Sequence, residues 1–102
     1  MLVTLFIDTS AINTAKIALE IDGKRFKKTS ESRVLKSQMV LPMIEDILLE
    51  QKLNLTDITA IQVAMGPGSF TGLRVGASVA NALGYLLVIP VNGKKELVNP
   101  TY

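Results

Sequence analysis

The feature that most limits what this chain can become is a strand that runs directly into a glycine-rich turn and out into a helix of small residues. Ile58 to Met65 is apolar-rich and meets Gly66-Pro67-Gly68-Ser69-Phe70-Thr71-Gly72; Leu73 to Leu86 then carries Gly76, Ala77, Ser78, Ala80, Ala82 and Gly84, with Arg74 its only charge. A buried strand followed at once by a helix is half of a β-α-β crossover, so the sequence predicts an α/β domain with some parallel pairing. Glycine inside a helix costs about 1 kcal/mol relative to alanine, so Gly76 and Gly84 predict the close approach of another backbone. Turns at such a position gather backbone amides that can hold an anion. The glycine spacing fits neither a P-loop nor a dinucleotide turn, so two readings stand: a phosphate-binding loop, or a tight elbow with Ser69 or Thr71 capping the helix.

Upstream, Leu2, Val3, Leu5, Phe6 and Ile7 form a near-continuous apolar run closed by Asp8-Thr9-Ser10, the pattern of a central strand covered on both faces. Thr14 to Ile21 alternates apolar and polar residues, Asp22-Gly23 supplies a turn, and Arg25 to Thr29 resumes as a more polar, solvated strand. The first three strands thus read as an antiparallel meander, bent at Asn13 and at Asp22-Gly23. A helix capped by Ser32 or Ser37 is expected to run to about Lys52, with Pro42 forcing either a bend or a regular part that starts near Val40. Its apolar residues from Met39 to Leu48 sweep about 200° of the helical wheel, against about 100° for packing on one sheet, which predicts a second covering surface. Leu87 to Val91 reads as a last short strand stopped by Asn92-Gly93. The predicted order is βββαβαβ in a mixed sheet, a single domain over 1–93, with 94–102 a tail or a truncated helix.

The 102 residues include no Cys, His or Trp. That excludes thiol nucleophiles, imidazole bases, disulfides and the usual zinc and haem ligands. The net charge of +2 is too small to argue for a nucleic-acid surface by itself. Lys24, Arg25, Lys27 and Lys28 form the one basic cluster, which a solvated turn and edge strand explains as well as RNA contact does. Val75 to Val91 is free of charge but broken by Asn81, Gly84 and Pro90, so no membrane helix is expected. Met1 to Ile7 lacks the basic start of a secretory signal, and a cytoplasmic location is expected.

Residues 66 to 76, Gly-Pro-Gly-Ser-Phe-Thr-Gly-Leu-Arg-Val-Gly, are a long and specific string. It resembles the signature of the bacterial TsaB (YeaZ-type) family, a Gcp-like branch of the actin-like ATPase (ribonuclease H-like) fold. Phe6-Ile7-Asp8-Thr9-Ser10 resembles the opening strand and turn of that family, Ser37 to Ile44 its first helix, and Ile89-Pro90-Val91 the strand after its second helix. The resemblance covers nearly the whole chain, as an amino-terminal domain of proteins about twice this length. It implies a non-catalytic subunit for tRNA threonylcarbamoyladenosine biosynthesis, paired with a homologous TsaD-like catalytic subunit and working with a TsaE-like ATPase. It implies contact with tRNA only indirectly. Two departures from the pattern are Lys36, where the family commonly has histidine, and Thr9, where the actin-like phosphate turn has glycine.

Pairing is expected through the two helices, with Met39, Met43, Ile47, Leu73, Gly76, Ala77 and Ala80 as partner-binding residues and a homodimer when no partner is present. No cofactor or metal is expected, and ATP binding is not expected of this chain. The alternatives are a nucleotide-binding actin-fold protein, or a half-length relic that folds as a homodimer. For the first, Asp8, Thr9, Ser10, Gly66, Gly68 and Ser69 are the cofactor-binding candidates.

Overall fold

A computed structural model describes residues 1–31 and 36–95. Three strands, β1 (Val3–Asp8), β2 (Thr14–Ile21) and β3 (Lys24–Glu31), lead to helix α1 (Lys36–Glu50). A 3₁₀ turn (Leu55–Asp57), strand β4 (Ala60–Val63) and helix α2 (Phe70–Leu87) follow. The sheet order is β3-β2-β1-β4. β1 pairs antiparallel with β2 and parallel with β4, and β2 pairs antiparallel with β3. This is the mixed α/β sheet expected from the sequence.

The Asp22-Gly23 bend is a two-residue hairpin turn with positive φ at both positions, 47° and 91°, the geometry that matches strand twist. Asp22 also ties the hairpin to the chain start: Leu2 N donates to its Oδ1 at 2.8 Å, and its own N donates to Leu2 O at 3.0 Å.

Strand alternation sets the layers. Val3, Leu5 and Ile7 of β1, Ala15, Ile17 and Leu19 of β2, and Ile61 and Val63 of β4 are buried in one core with residues of both helices. α1 packs over β2 and β3, α2 over β1 and β4, and the helices touch each other. From α1 the core takes Val40, Met43, Ile44, Ile47 and Leu48, an i, i+3, i+4, i+7, i+8 stripe. The wide apolar sweep expected for this helix therefore divides, and Leu41 and Leu49 face solvent at 44% and 75% exposure. Lys28, on the inner side of β3, reaches α1 and donates to Glu50 Oε2 at 2.8 Å.

Several boundaries differ from expectation. α1 runs unbroken through Pro42, which is exposed, as is Gln38, the residue whose carbonyl Pro42 cannot satisfy. β4 is only four residues long, losing two residues at each end of the expected Ile58 to Met65; a 3₁₀ turn ends just before that stretch, where Asp57 accepts from Asn54 N at 2.7 Å. The expected final strand is reduced to a parallel bridge between Val91 and Ile61, since α2 continues to Leu87. Asn92 substitutes for the missing ladder: its side-chain amide accepts from Val63 N at 2.8 Å and donates to Val63 O at 3.1 Å. Among the described residues, helices cover β1 on one face only, with Phe6 half-buried on the other. Of the stretch read as a tail or truncated helix, 96–102 lie outside the described residues, as does Ser32, one of the two proposed caps. Among the described residues, no helix is long and apolar enough to cross a membrane.

Candidate functional site

The turn after β1 and the loop before α2, distant in sequence, are brought together. Ser69 N donates to Ser10 O at 2.8 Å, and the Thr9 hydroxyl, 1% exposed, donates to the Gly72 carbonyl. Asp8 Oδ1 accepts from Ser10 N at 3.0 Å and from Ser10 Oγ. A Cβ on Gly68 would stand 2.7 Å from Ser10 Cβ, so only glycine lets the loop come this close. All six cofactor-binding candidates, Asp8, Thr9, Ser10, Gly66, Gly68 and Ser69, thus lie on these two adjoining segments.

Much of the polar capacity there is already used within the chain. The Ser69 hydroxyl caps α2 by accepting from Gly72 N at 3.2 Å, and Leu73 N donates to Ser69 O at 2.8 Å. With the Ser69, Gly72 and Leu73 amides bonded internally, the loop has the chemistry of a lock between β1 and α2. Among the described residues no group of three or more Asp or Glu is placed to hold a metal ion.

The helix glycines have a related cause, side-chain crowding at Gly76 and side-chain and backbone crowding at Gly84. A Cβ on Gly76 would lie 2.5 Å from Thr9 Oγ1, and one on Gly84 would lie 2.5 Å from Val91 Cγ2. Side chains of the turn after β1 and of the Val91 bridge take most of the space, and at Gly84 the expected backbone approach is present too, a Cβ there standing 3.3 Å from the Ile89 carbonyl oxygen.

The proposed partner-binding residues need correction. Met43, Ile47, Leu73, Ala77 and Ala80 are at most 7% exposed, Gly76 is buried and Met39 is half-buried. Met43, Ile47 and Ala80 belong to the core of their own chain and Met39 packs against it, because the same small and apolar side chains that suit a partner helix also suit the core. The outward side of α2 is formed by Phe70, Arg74, Ser78, Ala82 and Leu86, all exposed, with Tyr85 beside them. Phe70, Tyr85 and Leu86 are 54%, 82% and 72% exposed. The Arg74 guanidinium lies over the Phe70 ring at 5.4 Å. The sequence did hold a signal for this face: the single charge of α2 sits on the i, i+4 row Phe70-Arg74-Ser78-Ala82-Leu86, and a charge marks the side that meets water.

Comparison with known proteins places these features in a group. The family model described as "TsaD: tRNA N6-adenosine threonylcarbamoyltransferase" matches residues 32–97. A "tRNA threonylcarbamoyladenosine biosynthesis protein TsaB" of Haemophilus influenzae is 36% identical, the match covering 99% of this chain and 44% of that protein. The protein of the same description from Escherichia coli is 37% identical over 92% of this chain and 40% of its own length. YeaZ from Pseudomonas aeruginosa superposes with a TM-score of 0.83 at 34% identity, over 89% of this chain and 42% of that one. The chain therefore spans less than half the length of these relatives. Thermus thermophilus RuvC, at 13% identity and a TM-score of 0.53, shares the fold alone, over 89% of this chain and 62% of that one.

Proposed function

The chain belongs to the family of the TsaD-type threonylcarbamoyltransferase model and is a TsaB/YeaZ-type protein within it; from that premise we propose that it serves tRNA threonylcarbamoyladenosine biosynthesis as a non-catalytic subunit, docking a TsaD-like catalytic subunit through the outward face of α2. The observation that carries this reading is the exposed row of α2. Ser78 and Ala82 are small enough for another helix to cross closely. Phe70 and Leu86 stand at the two ends of the row as apolar anchors of the kind that dominate interfaces. Removing each from water contributes about 1.5–3 kcal/mol.

A homologous partner presents an equivalent helix to this one. Pairing α2 with its counterpart gives a pseudo-twofold contact in which each row covers the other. The same geometry serves a second copy of this chain when the catalytic subunit is absent, which is the basis for a homodimer. A TsaE-like ATPase would join the heteromeric pair. The absence of His and Cys from the sequence, and the internally bonded loop beside Thr9, support a role in assembly over chemistry at this chain.

The test is co-purification with the catalytic homologue, followed by an assay for the modified adenosine in the reconstituted system. Ser78→Trp and Ala82→Glu, both on the exposed row, are expected to abolish pairing while leaving the fold unchanged by circular dichroism. A dilute monomer that binds no catalytic homologue, or variants that pair as well as the parent, would overturn the proposal.

A further inference from the structure

We propose that the sheet face opposite the helices is a docking groove for single-stranded RNA, with Arg25 stacked on Phe6 as a platform for a base and Lys16 and Lys27 as phosphate contacts. The idea deepens the reading above by giving this chain its own contact with the RNA, but it stands on different residues. The groove encloses about 440 Å³ and is lined by Phe6, Lys16, Ala18, Arg25, Lys27 and Gln62 among others.

Register explains how these residues converge. Phe6 on central β1 faces Ala18 on one neighbour and Gln62 on the other, and Ala18 in turn faces Lys27 on β3. Because Ala18 is small, Arg25 can reach across β2 and place its guanidinium 4.1 Å from the Phe6 ring centroid. Its outer plane is left for a further flat group, and the Arg25 side chain remains 43% exposed.

Charge then selects the occupant. Lys16, Arg25 and Lys27 all line this groove. Arg25 has a loose partner in Glu20 at 3.8 Å, while no carboxylate of the described residues lies within ion-pair distance of Lys16 or Lys27. Asp8 lies at the groove too, opposite Lys16 in the β1–β2 register, so Lys16, Arg25 and Lys27 outnumber the carboxylates of Asp8 and Glu20 beside them by one charge. The opposite layer carries exposed Glu45 and Asp46 on α1, so an anion is drawn to the sheet side. Lysines alone would accept any polyanion. The guanidinium plane on an aromatic ring adds a preference for splayed bases, which stack on such surfaces, over a duplex whose bases are already stacked inside.

The experiment is fluorescence anisotropy of a labelled single-stranded RNA octamer titrated with the full chain at several salt concentrations. Each phosphate contact on a single strand contributes about −0.7 to the slope of log K against log salt. The two phosphate contacts, Lys16 and Lys27, predict a slope of about −1.4, and Lys16→Gln with Lys27→Gln brings it to near zero and weakens binding at least tenfold. Phe6→Leu, which keeps an apolar side chain in place, lowers affinity without changing the slope. The exposed lysine pair keeps the test decisive should Phe6→Leu not fold. Absence of saturable binding, equal affinity for a duplex, or an unchanged slope in the double variant overturns the proposal. Competition by poly-glutamate as strong as that by unlabelled RNA also overturns it, since that marks an acidic polypeptide as the occupant. None of these results bears on pairing through α2, so this inference and the proposed function fail separately.

Discussion

Gly76→Ala is the sharpest test of how the signature string acts. In a bare helix the change is favourable by about 1 kcal/mol. Here the new methyl would stand 2.5 Å from Thr9 Oγ1 and 3.3 Å from Val63 Cγ2. Thr9 is 1% exposed and donates to the Gly72 carbonyl, so it has nowhere to go without giving up that bond. Leaving a buried polar group unpaired costs about 1–3 kcal/mol, and crowding a packed core costs about 1–3 kcal/mol more. Set against the helical gain, the net loss is about 3 kcal/mol, which for a domain of this size lowers Tm by more than about 10 °C. Urea denaturation with Cm and m read together measures it. The mechanism also predicts coupling: in a Thr9→Ala background, where hydroxyl and methyl are gone, Gly76→Ala costs less than half as much. A neutral or stabilising Gly76→Ala, or an equal penalty in both backgrounds, refutes the reasoning.

Val88 closes α2 in the left-handed region at φ 55° and is 83% exposed. A side chain in that conformation costs about 1–2 kcal/mol, so Val88→Gly is expected to raise Tm by several degrees in a thermal melt. Lys28 is held above the ordinary lysine pKa, chiefly by its hydrogen bond to Glu50. Because the folded value is the raised one, the contribution is fully present below the unfolded lysine pKa and is lost as pH rises through the folded value. Stability curves of the parent and Glu50→Gln are therefore expected to stay parallel from about pH 7 to 10 and to converge above, with the gap narrowing at high salt.

The sequence carried the architecture where periodicity and turn chemistry agreed. The alternation of Thr14 to Ile21 and the Asp22-Gly23 pair gave the hairpin, and the Gly66 to Gly72 string gave the parallel step from β4 into α2. Short-range patterns could not say which apolar residues a helix turns inward. Met43, Ile47, Leu73 and Ala80 were read as a surface because the helices carry more apolar residues than one sheet face needs. The surplus proved to be Leu41, Leu49, Phe70, Tyr85 and Leu86. The reach of Arg25 over Ala18 to Phe6 was equally invisible, since it joins residues from the first and third strands across the second. It also explains why β1 reads as doubly covered: the Phe6 ring is shielded by a cation, so an apolar residue there does not demand a second layer of helices.

The sheet keeps the two proposed contacts apart. The α2 row lies on the helical side and the Phe6–Arg25 groove on the other, with β1 and its buried Leu5 and Ile7 between them. The groove lining and the α2 row share no residue, so a helix docked along α2 and a strand of RNA in the groove have separate footprints. Mutations at surface sites with no shared neighbour act independently. Ser78→Trp is therefore expected to remove pairing in sedimentation while leaving RNA affinity within twofold, and the Lys16→Gln with Lys27→Gln variant is expected to do the reverse. If either change moves both measurements by tenfold or more, one surface serves both partners and the division of the domain into two faces is wrong.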